Sequence, residues 1–170
     1  DLYNEPGNNE KGNESLPLLK EVFTWAREVN PSQPLSVGLW NWDLKDLNAF
    51  QALHSDIITY HSYDDPEKHE LILELLKSHG RPMVCTEYMA RTRNSTFTNT
   101  LPLLNKENVG AINWGLVNGK SNTIYAWNTP IESGEEPEEW FHDIFRQDGR
   151  PYRQEEVQLI QELSKEKVTQ

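Results

Sequence analysis

From Glu14 to Val29 the apolar residues Leu16, Leu19, Val22, Phe23, Ala26 and Val29 recur at spacings of three and four, with polar residues between them. That stripe predicts an amphipathic helix. The run "NPSQP" ends it, because proline cannot continue a helix and biases the residue before it to extended geometry. The short apolar run "LSVGLW" (35–40) predicts a strand, and "WDLKDLNAFQALH" (42–54) a helix capped by Asp43 or Asp46. The β-branched and aromatic stretch 56–63 is a second strand. Residues 66–80 form a helix with proline near its start and glycine at its end. A strand at 82–89, a weaker helix at 95–109 interrupted by Pro102, a strand at 110–117 and a terminal helix at 154–168 complete the pattern. Strand and helix alternate over short connections, which predicts an α/β protein with a parallel sheet under crossover helices. No fixed-period repeat is present, which argues against a solenoid. An open doubly wound sheet and a closed (βα)8 barrel both fit.

Side chains alternate faces along a strand. Along 82–89 one face carries Met83, Cys85 and Glu87, and the other Val84, Thr86 and Tyr88. Along 56–63 one face carries Ile57, Thr59, His61 and Tyr63; along 110–115 Ile112 and Trp114 share a face. Glu5 closes a clipped first strand and Trp40 the next. Barrels and open parallel sheets build their sites at the carboxyl ends of strands. Here those ends supply Asn4, Glu5, Trp40, His61, Tyr63, Glu87 and Trp114. Two carboxylates flanked by aromatic rings suit glycosidic chemistry. One acid protonates the leaving oxygen, the other attacks or stabilises the anomeric carbon, and ring faces give apolar surface to the C–H face of a sugar.

Composition narrows the partners. A chain of 170 residues is long enough for one domain with a real core. The apolar fraction of 36% and mean hydropathy of −0.76 are lean, but six Trp and six Tyr argue against disorder. No apolar run approaches the length of a membrane helix. The net charge of −11 makes nucleic acid an unfavourable partner. Part of the acidic excess lies in "ESGEEPEEW" (132–140), which reads as a solvated loop. The single Cys85 excludes an internal disulfide and a multi-cysteine zinc site. No two histidines have a zinc spacing, and the glycosidic chemistry itself requires neither metal nor cofactor. Asn13-Glu14-Ser15 and Asn94-Ser95-Thr96 fit the glycosylation sequon, a short pattern that chance often supplies. The run "NGKSNT" (118–123) faintly suggests a phosphate loop, but Trp114 stands where its first glycine belongs. The doubly wound nucleotide-binding alternative therefore lacks its main feature.

"DLYNEPGN" (1–8) followed by "VCTEYMAR" (84–91) resembles the glycoside hydrolases of clan A, the cellulase and β-mannanase type of family five and its relatives. The resemblance implies strands four to eight of a (βα)8 barrel over residues 1–170, with strands one to three, and an arginine they carry near the nucleophile, missing. It implies a carbohydrate substrate and a retaining, cofactor-free mechanism. Glu5 would be the general acid/base and Asn4 its neighbour on the sugar 2-hydroxyl. Glu87 would be the nucleophile, His61 and Tyr63 the sixth-strand His-x-Tyr, and Trp114 the platform under the cleaved sugar. Such a mechanism needs Glu5 protonated and Glu87 ionised.

Each residue also has a plainer reading. Asn-Glu-Pro alone is a common turn, Glu87 alone a strand-end ion-pair residue, and His61 a satisfied core histidine. Trp25 reads as helix packing, Cys85 as filler of the barrel interior, and Trp127 as either a rim platform for a further sugar or a loop anchor. At the level of the whole chain the alternative is a non-catalytic or truncated barrel fragment that keeps the sugar cleft as a binding surface. A half-barrel expected to expose two sheet edges is expected to have little turnover alone. The identity of the sugar, endo or exo action and the compartment stay open.

Overall fold

The apolar stripe over 14–29 folds as a 3-10 turn, Gly12–Ser15, running into helix α1, Leu16–Val29. Leu19 and Phe23, four apart, bury on its inner side, and Asn30 stops it in the left-handed conformation at φ 52°. Trp25 stands two residues beyond Phe23, about 200° round the helix, and is 53% exposed. Its packing role is corrected for that reason. Helix α2, Lys45–His54, follows Leu44 with no side-chain cap. The Asp43 amide is held by Asn41 Oδ1 in the preceding turn. Asp46 lies in the first turn of α2, where its charge meets the positive end of the helix dipole.

The computed structural model describes residues 1–8, 10–129 and 133–166, as a mixed α/β fold with a small open parallel sheet. Strands β1 (Ile58–His61), β2 (Met83–Glu87) and β3 (Gly110–Ala111) pair in that order. The stretch expected as strand 35–40 runs beside β1, donating from Leu39 N–H to the Thr59 carbonyl at 3.0 Å and accepting from His61 N–H at 2.7 Å. It makes a single parallel bridge, Leu39 to Tyr60. Beyond it, Leu2 N–H reaches the Ser36 carbonyl at 2.8 Å. Asp1 Oδ1 accepts from Ser36 Oγ and from Thr59 Oγ1 (2.6 Å), tying these three segments together.

The pairing of β1 with β2 runs Ile58–Met83, Thr59–Val84, Tyr60–Cys85 and then His61–Glu87. Thr86 is the extra residue of a β-bulge. Strict alternation puts Cys85 and Glu87 on one face; the bulge separates them. Cys85 shares a face with Tyr60, whose hydroxyl meets His69 Nε2 at 2.9 Å. His69 belongs to helix α3, Pro66–Lys77. The cysteine is therefore fully buried on the helical side of the sheet, in one core cluster with Leu73 and Leu76, and does not fill the interior face.

Strand β3 is shorter than the expected 110–117. Among the described residues it pairs on one side only, and Gly115 at φ 83° turns the chain, with Asn113 Nδ2 donating to its carbonyl at 2.6 Å. A Cβ at Gly115 would lie 2.8 Å from His142 Cβ, so no other residue fits this turn. Helix α4, Thr100–Lys106, starts later than expected because Thr96 and Asn99 hydrogen-bond each other's backbone amides ahead of it. Pro102 is its third residue, in the turn whose amides have no intrahelical partner, and does not interrupt it. Helix α5 spans Gln154–Glu166. Residues 167 and 168 of the expected helix, and Glu132 of the acidic loop, lie outside the described residues.

After β2 the chain is anchored from below. The Arg91 guanidinium is buried, forms a two-pronged pair with Glu156 of α5 (2.9 and 2.6 Å) and donates to the carbonyls of Trp140 and Asp143. The strand that ends in Glu87 is thus fixed to α5 and to the 140–143 segment. Among the described residues no helix is long and apolar enough to cross a membrane.

Candidate active site

Glu5 follows the segment paired to Ser36 and sits at φ 45°, left-handed for a residue with a side chain. Such backbone costs on the order of 1 kcal/mol or more and concentrates at functional sites. Asn8, three residues on, donates Nδ2–H to Glu5 Oε2 at 2.8 Å. His61 ends β1 almost fully buried; its Nδ1 stands 2.9 Å from Glu5 Oε1 and 3.5 Å from Glu87 Oε2. Gly38 passes close to the imidazole, and a Cβ there would lie 3.2 Å from His61 Nε2. Glycine at this position lets the ring reach both carboxyls.

Glu87 ends β2 on the same face as His61, placed there by the bulge. Tyr63 donates its hydroxyl to Glu87 Oε2 at 2.8 Å. Burial first, and then the Glu87 charge, pushes the Tyr63 phenol far above its ordinary value, so it remains a donor. Burial also raises the Glu87 carboxyl. The Tyr63 hydrogen bond and His61 pull it back down, and Glu5 pushes it up again. The net upward push runs against the ionised state a nucleophile needs. Tyr63 and His61 are the groups that oppose it.

Aromatic rings complete the walls. Trp40 is oriented by Nε1–H donation to the Pro6 carbonyl at 2.8 Å. Trp114 is 49% exposed, its amide turned toward the Tyr88 carbonyl at 3.4 Å. Trp127 is both anchor and rim. It meets Tyr63 and Phe141 edge-to-face at 4.7 and 4.8 Å, and 48% of it is exposed.

Asn4, Glu5, Trp40, His61, Tyr63, Glu87, Trp114 and Trp127 all line one cleft of about 760 Å³, with Asn8, Ser62, Asp64, Arg93 and Asn128. The last five were not selected from the sequence. Asn8 had a signal, its place three residues after Glu5 in a turn; Ser62 and Asp64 follow β1, Arg93 ends the 3-10 turn Arg91–Arg93, and Asn128 lies in a loop. His142 was also passed over. Its Nδ1–H donates to the carbonyl of Met89 at 2.7 Å, where Met89 is held at φ 76° two residues after Glu87.

One oxygen of Glu5, one of Glu87 and one nitrogen of His61 all lie within 4.8 Å of one another. Three such donors could ligate a divalent cation. The 2.9 Å approach of His61 to Glu5 is closer than the roughly 3.3 Å between two ligands of one tetrahedral zinc, and is an ordinary hydrogen-bond length. The arrangement holds two carboxyls across a cleft, coupled through one imidazole, which suits proton transfer and nucleophilic attack on one bond. No known protein-family model matches the chain, and no curated protein matches it.

Proposed function

We propose that the protein is a retaining glycoside hydrolase of the clan A type, acting on a β-linked polysaccharide or β-glycoside, and that this chain supplies strands four to eight of its (βα)8 barrel. The segments at Leu2 and 35–39, then β1, β2 and β3, lie side by side in chain order, as consecutive barrel strands do. The observation that carries the reading is the spacing of the two carboxyls. One oxygen of each lies within 4.8 Å of the other, close enough for both carboxyls to act on one glycosidic bond.

Glu87 attacks the anomeric carbon while Glu5 gives its proton to the leaving oxygen, forming a covalent glycosyl-enzyme. Glu5, now a carboxylate, takes a proton from water, which displaces Glu87 from the opposite side of the new bond. Double displacement needs one proton on the pair, given by Glu5 as the leaving group departs. Tyr63 donates to Glu87 Oε2 at 2.8 Å, and His61 Nδ1 stands between the two carboxyls, 2.9 Å from Glu5 Oε1 and 3.5 Å from Glu87 Oε2. Trp40, Trp114 and Trp127 offer ring faces to the sugar, and Asn4 offers an amide to its hydroxyls.

The test uses the whole protein that carries this chain and an activated aryl β-glycoside. Glu87→Ala is expected to lose turnover, by roughly a thousandfold or more, and to regain it with azide, giving the glycosyl azide of inverted configuration. Glu5→Ala is expected to respond to azide with retained configuration, since Glu87 still attacks first. Near-normal activity of Glu87→Ala without azide would remove Glu87 from the chemistry. A non-catalytic role as a carbohydrate-binding barrel is the reading left standing if the parent protein binds the glycans and cleaves none.

A further inference from the structure

The arginines of this acidic protein are committed to its own acceptors. Arg27 pairs with Asp56, Arg91 with Glu156, Arg146 with Glu136, Arg150 with Asp148 and Arg153 with Glu139, and Arg81 donates to the carbonyls of Ala52 and Ser55. Arg93 is the exception of the seven. Its Nε–H donates to the Tyr63 carbonyl at 3.3 Å, its guanidinium stands 5.7 Å from the Trp127 ring centroid, and neither Nη group has a partner among the described residues. It is exposed, and it lines the same cleft as the carboxyl pair.

Two contacts make this an oriented cation. The bond from Nε fixes one edge of the guanidinium, and the indole supports its face, so both Nη groups stay free for an acceptor that enters the cleft. Asp64 lines the cleft too, but forms no ion pair with Arg93. Tyr63 connects the position to the chemistry, because it accepts from Arg93 at its carbonyl and donates to Glu87 at its hydroxyl. A planar fork with two free donors matches a carboxylate. The net charge of −11 repels small anions at long range. That favours an acid delivered on a larger ligand, which the rest of the cleft holds, over a free anion.

We propose that Arg93 is a specificity residue for an acidic glycan, binding the carboxylate of a uronic acid on the sugar that rests beside Trp127. The proposal rests on the glycosidase reading and names its substrate class. Binding is measured calorimetrically on Glu87→Gln protein, so that turnover is not needed. The probes are β-1,4-linked xylo- and gluco-oligosaccharides bearing one glucuronic acid, each matched with its carboxyl-reduced twin. In at least one series the acid form is expected to bind roughly tenfold tighter than its twin. Adding Arg93→Gln is expected to bring that ratio toward one, and Arg93→Lys, which keeps charge without the fork, to leave an intermediate ratio. Equal affinity for acid and reduced forms in both series, or loss of both by the same factor in Arg93→Gln, overturns the proposal. Hydrolysis of a neutral aryl β-glycoside, lost in Glu87→Ala, would keep the glycosidase reading even then. An acid preference in a protein that cleaves nothing would instead keep the subsite and remove the hydrolase.

Discussion

At Glu87, burial raises the carboxyl while the Tyr63 hydroxyl and His61 lower it. In the proposed mechanism Glu87 is the nucleophile and works ionised, so activity is expected to fall as pH drops through its pKa. Tyr63→Phe removes one of the lowering contacts and is expected to shift the acid limb of the kcat/KM profile to higher pH. Loss of a hydrogen bond to a charged group should also lower the plateau, by roughly tenfold or more. A profile recorded between pH 4 and 8 checks both; an unmoved acid limb would separate Tyr63 from the charge on Glu87. Much of this site was legible one residue at a time, since glutamates and aromatics ending strands mark a cleft. Gly38 was not. Its role lies in the His61 ring packed against it, and nothing in "LSVGLW" states which side chain will arrive there from 23 residues further along.

Helix α3 shows the same contrast for a whole element. Pro66 sits at its first position, Asp65 Oδ1 accepts from Lys68 N–H at 3.1 Å, and His69, Ile72, Leu73 and Leu76 bury along one face. All of this is local, and the sequence pattern predicts it. Asp65→Ala is expected to cost about 1 kcal/mol, read as a lower urea midpoint at unchanged m-value; no change would mean that the cap is made by solvent. Strands were less legible, because pairing is made by distant partners. The β-bulge at Thr86 is the clearest case. Alternation alone puts Cys85 beside Glu87, whereas the ladder to β1 turns the cysteine into the helical layer and the glutamate into the cleft.

Across the whole molecule, two buried histidines tie stability to pH. Burial lowers both His69 and His142 to about 4. In the unfolded chain each protonates near its ordinary value of about 6.5. Between those values the unfolded state binds more protons, so stability present above about pH 6.5 is lost as pH falls toward 4. The expected slope is up to about 1.4 kcal/mol per pH unit for each histidine. Urea denaturation at pH 7, 6 and 5 measures it, and stability constant over that range would show that both rings titrate as they do in water. The two rings act in different places, His69 under β1 through Tyr60, and His142 on the Met89 carbonyl just past Glu87.

The sequence by itself determined the alternation of helix and strand, the buried faces of α1 and α3, and the placing of His61 and Glu87 at strand ends. These follow from side-chain periodicity, proline and glycine placement and capping, which act within a few residues. Tertiary structure alone decided the faces at the bulge, the early turn at Gly115, the exposure of Trp25, and the opposing pulls on the Glu87 carboxyl. It also decided which arginine keeps both Nη groups without a partner among the described residues. Those depend on neighbours brought from distant parts of the chain, as Tyr63 is to Glu87 across 24 residues, whose burial and charge no local pattern records.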